Sequence, residues 1–156
     1  MTSRRFCVAM GLLWLVTVAV VGWFFVKGTT QPSRDGRTEI MVAAGERDLI
    51  LGEMRQLLKA VHGVTTGLGT QGAGLKDAER AARAAGMAMA ADERLELLAK
   101  LPLAFKQLGM SVHQDMDNLA DGIAQGETTQ QVLIRVSSIT ARCTACHDLY
   151  RLSDAR

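Results

Sequence analysis

From Phe6 to Val26 no residue is charged. The run holds Leu12, Leu13, Trp14, Leu15, Val16, Val18, Val20, Val21, Trp23, Phe24 and Phe25. At about 1.5 Å per residue, a helix of this length spans the ~30 Å hydrocarbon core of a bilayer. It has no polar face to turn toward water, which predicts a membrane-crossing helix over residues 6–26. Residues 1–27 are therefore read as a membrane anchor or uncleaved signal. A cleaved signal peptide is the rival reading, but the run is long for such a segment and no A-x-A site follows. Cys7 stands too near the start, and in the wrong context, for a lipid-attachment cysteine. Trp23, Phe24 and Phe25 sit at one end, as interfacial aromatics do, and Arg4 and Arg5 precede the run. That asymmetry predicts a single-pass protein of a bacterial inner membrane, with its C-terminal domain in the periplasm.

The rest of the chain is close to neutral, since the whole carries a formal charge of +2 and Arg4, Arg5 and Lys27 flank the apolar run. It has no basic cluster and only 4% aromatic residues, so nothing points to nucleic acid as a partner. Residues 28–38 (GTTQPSRDGRT) are polar, with Gly and Pro, and are expected to form a flexible linker. Residues 39–156 are rich in alanine, leucine and glutamate, with only two prolines in the whole chain, which predicts an all-α fold.

Four helical segments are expected there. The first runs over about 39–66, with Ile50, Met54, Leu57 and Val61 at spacings of 4, 3 and 4, and with Leu51 and Leu58 widening the stripe. Gly67, Gly69, Gly72 and Gly74 are expected to form a loop. The second runs over about 75–90, with Leu75, Ala78, Ala82, Ala85 and Met89 on one face, and Gly86 clouds its end. A short piece follows over about 92–100. Pro102 suits the first turn of the third helix, which carries Phe105, Leu108, Val112, Met116, Leu119 and Ile123 and stops at Gly126. Thr128 and Gln131 match a capping box for the fourth helix, which carries Val132, Val136, Ile139, Cys143, Cys146 and Tyr150 on one stripe. Alternating spacings of 3 and 4 with short loops predict an antiparallel four-helix bundle behind the N-terminal transmembrane helix.

Near the C-terminus stands Cys143-Thr-Ala-Cys146-His147. C-x-x-C-H is the attachment pattern of c-type haem: each thiol can bond one vinyl group, and the adjacent imidazole reaches the iron. One covalent haem c is thus the expected cofactor, with Cys143 and Cys146 as attachment residues and His147 as the metal ligand. The alternatives are weaker. A thioredoxin-like pair accompanies a βαβ pattern, which is missing. A zinc site takes about four ligands, and the remaining Cys7 lies in the apolar run. A disulfide within one helical turn is geometrically poor. Ser3-Arg4-Arg5 hints at a twin-arginine signal, but haem attachment after export calls for an unfolded chain.

The stretch from Arg142 to Arg151, with Asp148, Tyr150 and Arg151 after the motif, resembles the end of the cytochrome c prime family. The resemblance covers residue 40 onward and implies a four-helix bundle with its haem on the last helix. It also implies roles on the first helix. Arg47 would lie near the propionates, and Leu51, four residues later, would cap the iron face opposite His147. Arg151 would lie near the proximal histidine. Low-spin relatives use a methionine from the first helix, a role open to Met54. His62, His113 and Met110 are lesser candidates. The family often dimerises through its first two helices, with which the alanine-rich second helix is compatible.

These readings imply a periplasmic monohaem electron carrier whose tether keeps it near membrane redox partners. The first alternative is a five-coordinate haem protein that binds small diatomic gases such as nitric oxide. The second is a haem-based sensor or accessory subunit. No enzyme is expected, because the distal face reads as apolar, without an acid or base. Asp77, Glu79, Glu93, Glu96, Asp115 and Asp117 are read as solvated surface carboxylates.

Overall fold

The computed structural model describes residues 2–70, 73–91 and 95–154. The fold is predominantly helical. Helix α1 (Thr2–Lys27) is followed by strands β1 (Thr30–Pro32) and β2 (Thr38–Val42). Then come α2 (Ala44–Gly69), α3 (Ala73–Ala84), α4 (Met87–Ala90), α5 (Leu95–Lys100), α6 (Leu103–Ala124), α7 (Thr129–Leu149) and β3 (Tyr150–Asp154).

Helix α1 is long and apolar enough to cross a membrane, with a mean hydropathy of 2.2, and no part of that window is buried. The expected linker is ordered instead. β1 pairs antiparallel with β2, and β2 pairs parallel with β3, so the sheet order is β1-β2-β3. This corrects three expectations: residues 28–38 are not slack, the first bundle helix starts at Ala44 rather than near 39, and Tyr150–Asp154 form a strand. The physical reason is non-local pairing. Ile40 and Val42 are fully buried because β3 returns to cover β2.

Helices α2, α3, α6 and α7 pack in that sequence, each against the next. Ala60 and Val64 of α2, Ala78 and Ala82 of α3, Val112, Met116, Leu119 and Ile123 of α6, and Val132, Val136 and Ile139 of α7 form one buried cluster. The glycines expected to form a loop do not: Gly67 and Gly69 end α2, Gly74 lies in α3, and Gly72 is outside the described residues. A side chain at Gly67 would collide with the Gly74 carbonyl and Ala78, so the glycine lets the two backbones approach closely. Ala78, Ala82 and Ala85 are buried in this core, so α3 directs its alanine face to α2 and α6 of the same chain, not outward. Leu58 and Leu75, expected on core stripes, are exposed. Gly86 does break the second helical segment, whose short sequel is α4. Of the piece expected over 92–100, Asp92, Glu93 and Arg94 lie outside the described residues.

A second buried cluster joins Ile40 and Val42 of β2, Ile50 of α2, Leu97 of α5, Leu101, and Phe105 of α6, with Met54, Cys146, Tyr150 and Leu152 packed against it. The sheet therefore closes one end of the helical body, the end that carries the cysteine motif.

Candidate functional site

Helix α7 delivers the motif. Thr128 Oγ1 accepts from the Gln131 amide at 3.3 Å, and Gln131 Oε1 accepts from the Thr128 amide at 2.8 Å, so both halves of the expected capping box form. Val132, Val136 and Ile139 then bury one face. Continuing that stripe brings Cys143 and Cys146 to half-buried positions, and burial pushes both thiols above their ordinary range. His147 occupies the last turn and is exposed. At Tyr150 the backbone turns extended, and its amide donates to the Cys146 carbonyl. The Tyr150 ring stands edge-on to Phe105, with centroids 5.4 Å apart at 87°.

The two thiols and the imidazole edge line a single cavity between the two core clusters. Ile50, Glu53, Met54 and Leu57 of α2, Leu98 of α5, Leu101, and Phe105, Val112 and His113 of α6 form its other walls. Its lining is mostly apolar, and its volume is about 110 Å³. A second hollow of about 180 Å³ adjoins it, because Met54, Phe105, Cys146 and His147 line both.

That second hollow gathers Arg37, Arg47, Leu51, Arg151 and Leu152 around His147. Arg47 and Leu51 thus share a recess with His147 and Cys146. Arg151 is there too, yet its guanidinium is held by the sheet: it pairs with Glu39 at 3.3 Å and Asp35 at 3.5 Å. Arg37 escaped sequence reading because its segment looked like a linker. Its Nη1 donates to the His147 carbonyl at 3.2 Å, and Asp35 holds it at 2.7 Å. Hydrogen bonds from Arg37 keep the Asp35 carboxyl well below the usual carboxylate range.

Met54 lines both hollows, whereas Leu51 lines only the one that contains Arg47. Met110 also lines the larger one. His62 is exposed on α2 and lines neither.

His113 is a buried residue of the cavity wall, only 2% exposed. Its Nδ1 lies 2.8 Å from the Ala85 carbonyl oxygen and its Nε2 lies 2.7 Å from Glu53 Oε1. The otherwise apolar cavity wall thus carries one hydrogen-bonded carboxyl–imidazole pair. Helix spacing alone cannot reveal this pair, because its partners are 60 residues apart. Two carboxylates read as solvated are also structural. Asp115 pairs with Arg142 at 2.6 Å, and Asp117 accepts from the Met87 amide at 2.8 Å. Asp77 and Glu79 do lie on the surface beside Arg80 and Arg83. Glu96 is exposed, and Glu93 lies outside the described residues.

No family model, no curated protein and no solved structure matches this chain.

Proposed function

We propose that the chain is a membrane-anchored c-type monohaem cytochrome whose helices α2, α3, α6 and α7 form a four-helix bundle of the cytochrome c prime type, and that it carries electrons in the periplasm. One observation carries this reading: both thiols of the C-x-x-C-H motif and its histidine line one mostly apolar cavity walled by α2, α5, α6 and α7. The donor set and the surface chemistry suit a flat, largely apolar macrocycle with charged edges. Cys143 and Cys146 would hold the haem through thioethers, His147 would ligate the iron, and Arg37 and Arg47 would meet its carboxylates. Bound there, the group supplies a one-electron ferric–ferrous couple. The chain's own part is to exclude water with Leu57, Leu101 and Phe105 and to seat the histidine through α7. No catalytic reaction is proposed, since Glu53 and His113 engage each other and the Ala85 carbonyl.

The test is a pyridine haemochrome spectrum and haem staining after denaturing electrophoresis of protein co-expressed with a haem-attachment system. Covalent haem is expected in the natural chain and none in the Cys143→Ser, Cys146→Ser double variant. Equal haem staining of the two would sink the reading.

The gas-binding alternative draws on Leu51. It shares a recess with His147, where an apolar side chain would cover the iron without ligating it. Carbon monoxide separates the two: a reduced spectrum that shifts on its addition supports an open iron face, and an unchanged sharp spectrum supports a sixth ligand such as Met54.

A further inference from the structure

The end of α1 is built into the domain. Gly28 turns the chain at φ +62°, and a side chain there would collide with the Lys100 carbonyl and the Pro102 nitrogen. The Thr29 amide donates to the Lys100 carbonyl at 2.7 Å. Lys106 of α6 sets its Nζ 3.9 Å from the Phe25 ring centroid. The same ammonium lies 3.4 Å from the Phe25 carbonyl and 3.2 Å from the Leu98 carbonyl. One cation thus ties the last turn of α1 to α5 and α6, favoured by the negative end of the α1 dipole. β1 starts at Thr30, so no slack segment separates the apolar helix from the sheet.

This seam has a consequence for the neighbouring surface. If α1 crosses a bilayer, its aromatic end at Trp23–Phe25 lies at the interface, and the parts touching it are held at the headgroups. Lys27 Nζ stands 5.3 Å from the Trp23 ring centroid, as a snorkelling lysine would. Helix α5, which α1 touches, begins with Leu95. Leu95 is 82% exposed, more than any other large apolar side chain in the described residues, those of α1 included. Its apolar surface is therefore available to a bilayer interface, where burial is favourable.

We propose that the α5–α6 corner is a lipid-binding surface: the domain sits on the bilayer in one orientation, with Leu95 inserted at the interface. The cavity edge formed by Leu98, Leu101 and Lys106 is then held beside the membrane, where it exchanges with membrane-resident rather than soluble partners. This rests on the anchor reading of α1 and is independent of haem.

The test places a photoreactive diazirine residue at Leu95 or, as control, at Leu58, which is 69% exposed on α2. The full chain is reconstituted in phosphatidylethanolamine–phosphatidylglycerol vesicles, floated and irradiated, and lipid adducts are counted by mass spectrometry. Adducts at Leu95 are expected to exceed those at Leu58 several-fold. Equal yields from chain that floats with the vesicles would overturn the proposal. Chain that fails to float would defeat the anchor reading and the proposal with it. A glycine–serine insertion between Lys27 and Gly28 is expected to lower the Leu95 yield to the Leu58 level; an unchanged yield would refute the role of the seam.

Discussion

His113 Nε2 and Glu53 Oε1 lie 2.7 Å apart across the wall that α6 and α2 share. The Ala85 carbonyl at 2.8 Å can only accept, so Nδ1 carries a proton, and the Nε2–Glu53 contact holds one more between ring and carboxyl. One residue thereby joins α6 to α2 and to the end of the α3 segment. Replacing it strands buried partners. His113→Leu is expected to cost about 1–3 kcal/mol, the usual penalty for unpaired buried polar groups. Glu53→Gln, which keeps a hydrogen-bonding partner for the ring, should cost less. Urea unfolding of both variants beside an exposed control, His62→Leu, checks this. A His113→Leu midpoint equal to the control's would show that the contact contributes nothing.

The sheet should be the acid-sensitive part of the molecule. Glu39 is held below its ordinary range first by Ser153 and then by Gln31, and Asp35 is held lower still by Arg37. A carboxyl with a depressed folded value favours folding above its unfolded value of about 4 and loses that contribution as pH falls through the folded value. Because Asp35 is exposed and Glu39 only partly buried, the effect is local, and no loss of the helical core is expected. Hydrogen exchange at residues 150–154 should accelerate below pH 4 while α6 amides stay protected. Glu39→Gln should flatten that dependence; an equally steep profile would argue against this carboxylate as its source.

The capping box bears on the motif because it starts the helix that carries it. Thr128→Ala removes the side-chain acceptor for the Gln131 amide and is expected to cost about 1 kcal/mol. Thr128→Asn, which can replace the acceptor, should recover most of it. Chemical denaturation of the three chains measures the order, and an alanine variant as stable as the natural chain would contradict it.

Met54 lines both hollows beside His147, with Phe105 and Cys146. If its sulfur ligates the iron, Met54→Leu should turn a sharp reduced spectrum broad and make it responsive to carbon monoxide. If Leu51 covers an open face, that substitution leaves the spectrum nearly unchanged, and Leu51→Ala speeds carbon monoxide binding. Flash photolysis of the two variants distinguishes these outcomes.

What the sequence determined by itself was local. The apolar run from Phe6 to Val26, the stripes of α6 and α7 and the Thr128–Gln131 cap all depend on contacts three or four residues apart, and each appears where its spacing put it. The C-x-x-C-H motif is local in the same sense. What only the tertiary structure decided lies between distant segments. β2 meets β3 across more than a hundred residues, Arg37 reaches the His147 carbonyl, and His113 finds Glu53. None of these leaves a periodic trace. A short strand becomes a strand when another edge satisfies its amides, and a polar side chain can be buried when a remote partner takes its hydrogen bonds. For that reason the cysteines and the helical walls facing them were legible, while Arg37, the sheet and the His113–Glu53 pair were not.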